Sequence, residues 1–125
     1  MSYSLSWHQS GATVNYSESV SFDDIISAFT ALQRQAHYDH LKYAIHDFRA
    51  ITALRKGPVE MPLLVAHTIG AGYSNPHIHT AIVVSLEQLE NLCRQYAART
   101  PQRTQVFNTL EAAYDWLREC ECIAA

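Results

Sequence analysis

The residue pattern predicts a single α/β domain over residues 1–125, with elements in the order β-β-α-β-α-β-α-β-α. Three observations carry this expectation. Residues 3–17 alternate polar and apolar side chains around a turn, the period of half-buried strands. Strand-sized runs then alternate with helical stripes, which favours a mixed, mostly parallel sheet of about five strands joined by right-handed crossovers. Finally, Thr80-Ala81-Ile82-Val83-Val84 is the continuous apolar run of a central strand covered on both faces.

Taken in order, Tyr3 to Trp7 sets Tyr, Leu and Trp on one side and Ser on the other. His8-Gln9-Ser10-Gly11 turns the chain, and Ala12 to Ser17 alternates again, giving a hairpin. Ser21 is a natural N-cap, and Asp23 and Asp24 suit the positive first turn of a helix. Phe22, Ile25, Ile26, Phe29 and Leu32 form its apolar stripe, which runs out near Ala36. Leu41 to Phe48 reads as the third strand, closed by Asp47. Between Arg49 and Asn75 the pattern is ambiguous. Pro62 fits a helix start, Leu63 to Ile69 its body, and Gly70 and Gly72 its end. Ser74-Asn75-Pro76 is a turn, and His77 to Ser85 the fourth strand. Ser85 with Gln88 resembles a capping box ahead of the stripe Leu86, Leu89, Leu92, Cys93 and Tyr96. Pro101-Gln102 breaks the chain before a short strand, Thr104 to Phe107. Asn108 or Thr109 caps the last helix, whose inward residues are Leu110, Ala113, Tyr114, Leu117 and Cys120. Trp116 falls off that stripe.

Composition narrows the class. Of 125 residues, 48% are hydrophobic and 17% charged, enough apolar surface for a core and too little charge for wholesale disorder. The net charge of −3 argues against nonspecific nucleic-acid binding, which depends on excess cations. Residues 1–8 carry no signal-peptide pattern, and the longest apolar run is strand-sized, so no membrane span is expected. Cys93, Cys120 and Cys122 are an odd set without framework spacing, which fits reduced thiols and a cytoplasmic location.

Seven histidines invite a metal or acid–base role. His77 and His79, two apart on a strand, would share a face with their Cα atoms about 7 Å apart, but no third ligand is readable. Asp47, at the end of a central strand, sits where open α/β sheets bind ligands. Arg49, Arg55 and Lys56 make a small basic cluster around the loop that follows, with Thr52 in it. Gly70-Ala71-Gly72 lacks the pattern of a dinucleotide or phosphate loop, and no hydrolase nucleophile motif occurs. No catalytic set and no cofactor is implied.

Several stretches resemble the STAS domains, specifically the SpoIIAA-like (STAS/SEC14-type) bacterial proteins. Phe22-Asp23-Asp24 opens the helix after the hairpin, and Tyr43-Ala44-Ile45-His46-Asp47-Phe48 is similar to a strand ending in D-L or D-F. Ser74 to Val83 resembles the segment entering the fourth strand, and TQVFNTLEAAYDWL, Thr104 to Leu117, the terminal pattern. The likeness spans nearly the whole chain. It implies a small regulatory or protein-interaction module of SpoIIAA-like fold. Relatives of the anti-sigma-factor-antagonist type carry a phosphorylatable Ser in a D-S-S-G-like turn. The corresponding stretch here, Ile51 to Gly57, lacks that motif, and Thr52 is its nearest hydroxyl.

Two functional expectations result. The first is a noncatalytic regulatory module meeting a protein partner through Asp47, Arg49, Thr52, Arg55 and Lys56. The second is a small-molecule or metal binder, enzymatic or not, using a histidine-lined cleft near Asp47. A homodimer is expected from Trp7, Tyr73 and Trp116, large groups without an assured place in the core.

Overall fold

The computed structural model describes residues 3–100 and 103–124. The expected break at Pro101-Gln102 lies outside them. The elements are β1 (Tyr3–Trp7), β2 (Gly11–Val20), α1 (Phe22–Gln33), a 3-10 turn (Tyr38–His40), β3 (Tyr43–Leu54), α2 (Met61–Gly72), β4 (His79–Val83), α3 (Glu87–Arg99), β5 (Arg103–Phe107) and α4 (Leu110–Glu119). The sequence-based order therefore holds.

The five strands lie side by side in chain order, β1-β2-β3-β4-β5. Only the β1–β2 hairpin is antiparallel, and the other three pairings are parallel. When parallel neighbours follow chain order, crossovers of one hand place every connecting helix on the same face. Accordingly α1, α2 and α3 bury Phe22, Phe29, Leu64, Leu89 and Tyr96 in one cluster with Ala12, Val14, Tyr16, Phe48 and Ile82 from the sheet. The opposite face is left to α4, which packs Ala113 and Leu117 on Tyr43, Ile45, Ala81 and Val83. With helices on both sides, β4 is buried at every position, as its apolar run requires.

Local chemistry sets the helix starts. Ser21 Oγ accepts from the Asp24 N–H at 3.1 Å, and the Ser21 N–H donates to Asp24 Oδ2 at 3.0 Å, a reciprocal capping box. Thr109, not Asn108, caps α4 by accepting from the Ala112 N–H. Asn108 instead donates to the Val84 carbonyl and to Glu90. Ser85 caps nothing: the N-cap of α3 is Leu86, one residue later, without a side-chain bond. Helix α1 stops at Gln33 rather than near Ala36.

The main departure is β3. It runs to Leu54, seven residues beyond Asp47, because β2 also continues to Val20 and pairs with it to the end. The register slips between Asn15 and Ser17 and again between Glu18 and Ser19, and Glu18 takes a left-handed conformation at φ 65°. These bulges break the two-residue period, so the sequence reads as a loop where the backbone is a strand.

Candidate functional site

Asp47 is central in β3, but its level in the sheet is an edge. It pairs with Val83, the last residue of β4, while β3 and β2 project beyond. Its carboxylate is turned inward on the chain. The Arg49 N–H and Nε donate to Oδ1 at 3.0 Å each, and Arg49 Nη2 donates to Oδ2 at 2.8 Å. The two oxygens are thus spanned by one fork, the geometry in which Arg–carboxylate pairing is strongest. The Asp47 side chain is 11% exposed and that of Arg49 48%, so the pair shows the guanidinium to solvent.

The remaining residues expected at the site are dispersed along the same projection. Thr52 is in strand β3, not in a loop before the second helix, and its hydroxyl donates to the Glu18 carbonyl at 3.1 Å, holding the bulge. Arg55 leaves the strand end, where its N–H donates to the Val20 carbonyl at 2.7 Å. Its guanidinium pairs with Asp24 in the first turn of α1. The expected basic cluster is therefore divided: Arg49 serves Asp47, Arg55 serves Asp24, and only Lys56 among the three has no ion pair among the described residues. Residues 55–60 contain no hydroxyl side chain, so α2 begins without a Ser or Thr at its N-terminus.

The histidines separate. His77 stands exposed in a turn before β4, so it does not share a strand face with His79. His79 is buried and fully engaged. Arg103 Nη1 lies 3.3 Å from its Nε2, its ring meets Trp116 edge-on at 5.5 Å, and the His77 backbone accepts from it. Burial first, and then the Arg103 charge, hold its pKa below the ordinary histidine range. A guanidinium at Nε2 repels any metal cation approaching that nitrogen. His79 pairs with Tyr43, four residues from Asp47 along β3, a separation of about 13 Å. No histidine-lined cleft forms near Asp47 from this pair.

Three other histidines do meet, at the opposite end of the sheet. His8, His37 and His40 line a cleft of about 550 Å³ with Trp7, Gln9, Gln35 and Leu41. His8 is fixed there by a 2.8 Å hydrogen bond between Nε2 and Thr13 Oγ1 and by stacking on Tyr43. Among the described residues, no group of three His, Cys, Asp or Glu side chains has the arrangement to hold a metal ion.

One titratable residue was not singled out by the sequence. His46 is 2% exposed in β3, one position before Asp47 and on the other face of the sheet. Its Nδ1 shares a 2.9 Å hydrogen bond with the Tyr16 hydroxyl, and Phe29 stacks on its ring at 3.9 Å. Burial pushes its pKa down to about 3 and the Tyr16 hydroxyl up. Both are neutral structural groups at ordinary pH. The signal was the alternation of β3 itself, which sends 46 inward wherever Asp47 faces out. Cys93 is likewise buried, its thiol pushed up to about 12 by desolvation.

No family model matches the chain, and no curated protein matches it. Solved structures do. An uncharacterised Shewanella loihica protein of the DUF3478 family, described as having a SpoIIAA-like fold, is 18% identical. The match covers 92% of this chain and 91% of that one, with a TM-score of 0.54. An anti-sigma factor antagonist from Mycobacterium paratuberculosis is 16% identical over 93% and 92%, TM-score 0.58. The anti-sigma factor antagonist SpoIIAA in its unphosphorylated form is 13% identical over 94% and 96%, TM-score 0.58. The fold of this chain is SpoIIAA-like.

Proposed function

We propose that the chain is a regulatory module that acts by binding another protein, without catalysis of its own, in the cytoplasm. The observation that carries this reading is the end-to-end likeness to two anti-sigma factor antagonists, proteins whose named role is to act on another protein. The site chemistry supports it. Asp47, His46 and His79 are the groups best suited to acid–base work, and each is already engaged by Arg49, Tyr16 or Arg103. The three free cysteines fit a reducing compartment.

In this reading the partner meets the projecting end of β2 and β3: the Arg49 guanidinium over Asp47, then Thr52, Arg55 and Lys56. A phospho-switch at Thr52 is not favoured in this reading, because the segment lacks the D-S-S-G-like motif and the Thr52 hydroxyl donates to the Glu18 carbonyl. Self-association is part of it, since Tyr73 remains exposed together with Leu63 and Ile69. The test is capture from cell extract by the immobilised chain beside Thr52→Glu and Lys56→Glu forms of unchanged circular dichroism. A captured protein identified by mass spectrometry should fall at least tenfold with the variants. Equal capture by all forms, or a purified chain that turns over a substrate, would overturn the reading.

A further inference from the structure

We infer that the outer face of α2 is the surface through which two copies of this chain pair about a two-fold axis. The inference rests on the self-association above and is independent of the β3 surface.

Helix α2 reads MPLLVAHTIGAG, with no Asp, Glu, Lys or Arg in twelve residues. Only Met61, Leu64 and Thr68 are buried. Helices that are apolar all round belong in interiors, yet this one lies on the surface. Its outer side presents Leu63 at 44% exposure, Ile69 at 41% and Tyr73 at 88%. Ala66 and Gly70 are exposed between them, four residues apart, which lets a second helix approach closely. Leu63, Ala66 and Gly70 also line a groove of about 390 Å³ against the end of α1, at Thr30, Gln33 and Arg34.

The charges at the two ends of this face identify the occupant. Glu60 is the N-cap of α2 and exposed, and it makes no side-chain capping bond. Arg34, the C-cap of α1, lines the same groove as Gly70 and Ala71 near the C-terminal end of α2. A second α2 laid antiparallel brings each Glu60 to the other copy's Arg34 end, and sets opposite helix dipoles together. A two-fold contact uses the same patch on both sides, and this patch complements itself. An anionic membrane is a poorer match. Outside the ion pairs, residues 22–34, 55–72 and 87–99 carry Arg34, Lys56 and Arg99 against Asp23, Glu60 and Glu87, so the three helices and the approach to α2 have no basic excess to hold it. A twelve-residue helix is about 18 Å long. By itself it offers less than the ~800 Å² per partner of a standard interface, so the pairing is expected to be weak and concentration-dependent.

Sedimentation equilibrium of the whole chain from about 1 to 500 µM tests this. The wild type should shift from monomer to dimer across that range. Ala66→Glu, at an exposed position that spares the core, should raise the dissociation constant at least tenfold, whereas Trp7→Ala should not. Glu60→Arg alone should weaken pairing, and Glu60→Arg with Arg34→Glu should restore it. A monomer at every concentration, a dimer indifferent to Ala66→Glu, or a charge exchange that fails to restore pairing overturns the inference. None of these outcomes depends on whether extract capture succeeds.

Discussion

At the scale of single residues, His46 couples the core to pH. The folded chain refuses a proton that the unfolded chain accepts, because burial lowers this histidine from 6.5 to about 3. A depressed folded value means that the stability is complete above pH 6.5 and is lost as pH falls toward 3. The slope from this one group is about 1.4 kcal/mol per pH unit inside that window. Urea unfolding at pH 7.5, 6 and 5 should show it. His46→Leu should be less stable at pH 7.5, because Tyr16 loses its partner, at a cost of about 1–3 kcal/mol. Its dependence below pH 6.5 should be flatter by one proton. Gly11 is a second sensitive point, since a methyl group built there overlaps the ring of Tyr43 on the neighbouring strand. Gly11→Ala should therefore cost about 1–3 kcal/mol in the same assay, the usual range for overpacking. Only the first of these two residues left a trace in the sequence, as an alternating position. The second depends on which strand lies beside Gly11, which no local pattern encodes.

At the scale of elements, the N-terminus of α1 is the clearest case of local chemistry deciding structure. Ser21→Ala removes one side of the capping box and should lower stability by about 1 kcal/mol. That helix, the hairpin and the β4 run were all legible, because period and cap agree in them. Ser85 and Gln88 had the spacing of a capping box too, yet the helix begins at Glu87, since Leu86 is drawn into the core cluster beside α3. β3 was cut short for another reason. The register slips between Asp47 and Ala50 and again between Ile51 and Ala53, so the alternation that marks a strand changes phase there. The candidate site inherited that error: Thr52 was placed in a loop because Asp47 was taken as the strand's end. Helix α2 resisted assignment because it has no polar stripe, and the same property makes its outer face a surface for a second copy. The meeting of His8, His37 and His40 was out of reach, as it joins the hairpin turn to the approach to β3.

At the scale of the whole molecule, three helices share one face of the sheet and α4 alone covers part of the other. Leu117 is fully buried in that smaller cluster, so Leu117→Ala should cost about 2–5 kcal/mol. Amide exchange in α4 should then quicken more than in α1, which lies across the sheet. The strand order carries a further consequence for synthesis. Each strand pairs with the one made just before it, so the sheet can grow by adding to a single advancing edge as the chain leaves the ribosome. Throughout that growth Tyr43, Ile45, Ala81 and Val83 face water, since their cover, α4, is made after all five strands. The growing chain thus carries a naked apolar sheet face until α4 is made, and that interval, rather than any defect of the finished fold, is when it most needs a chaperone.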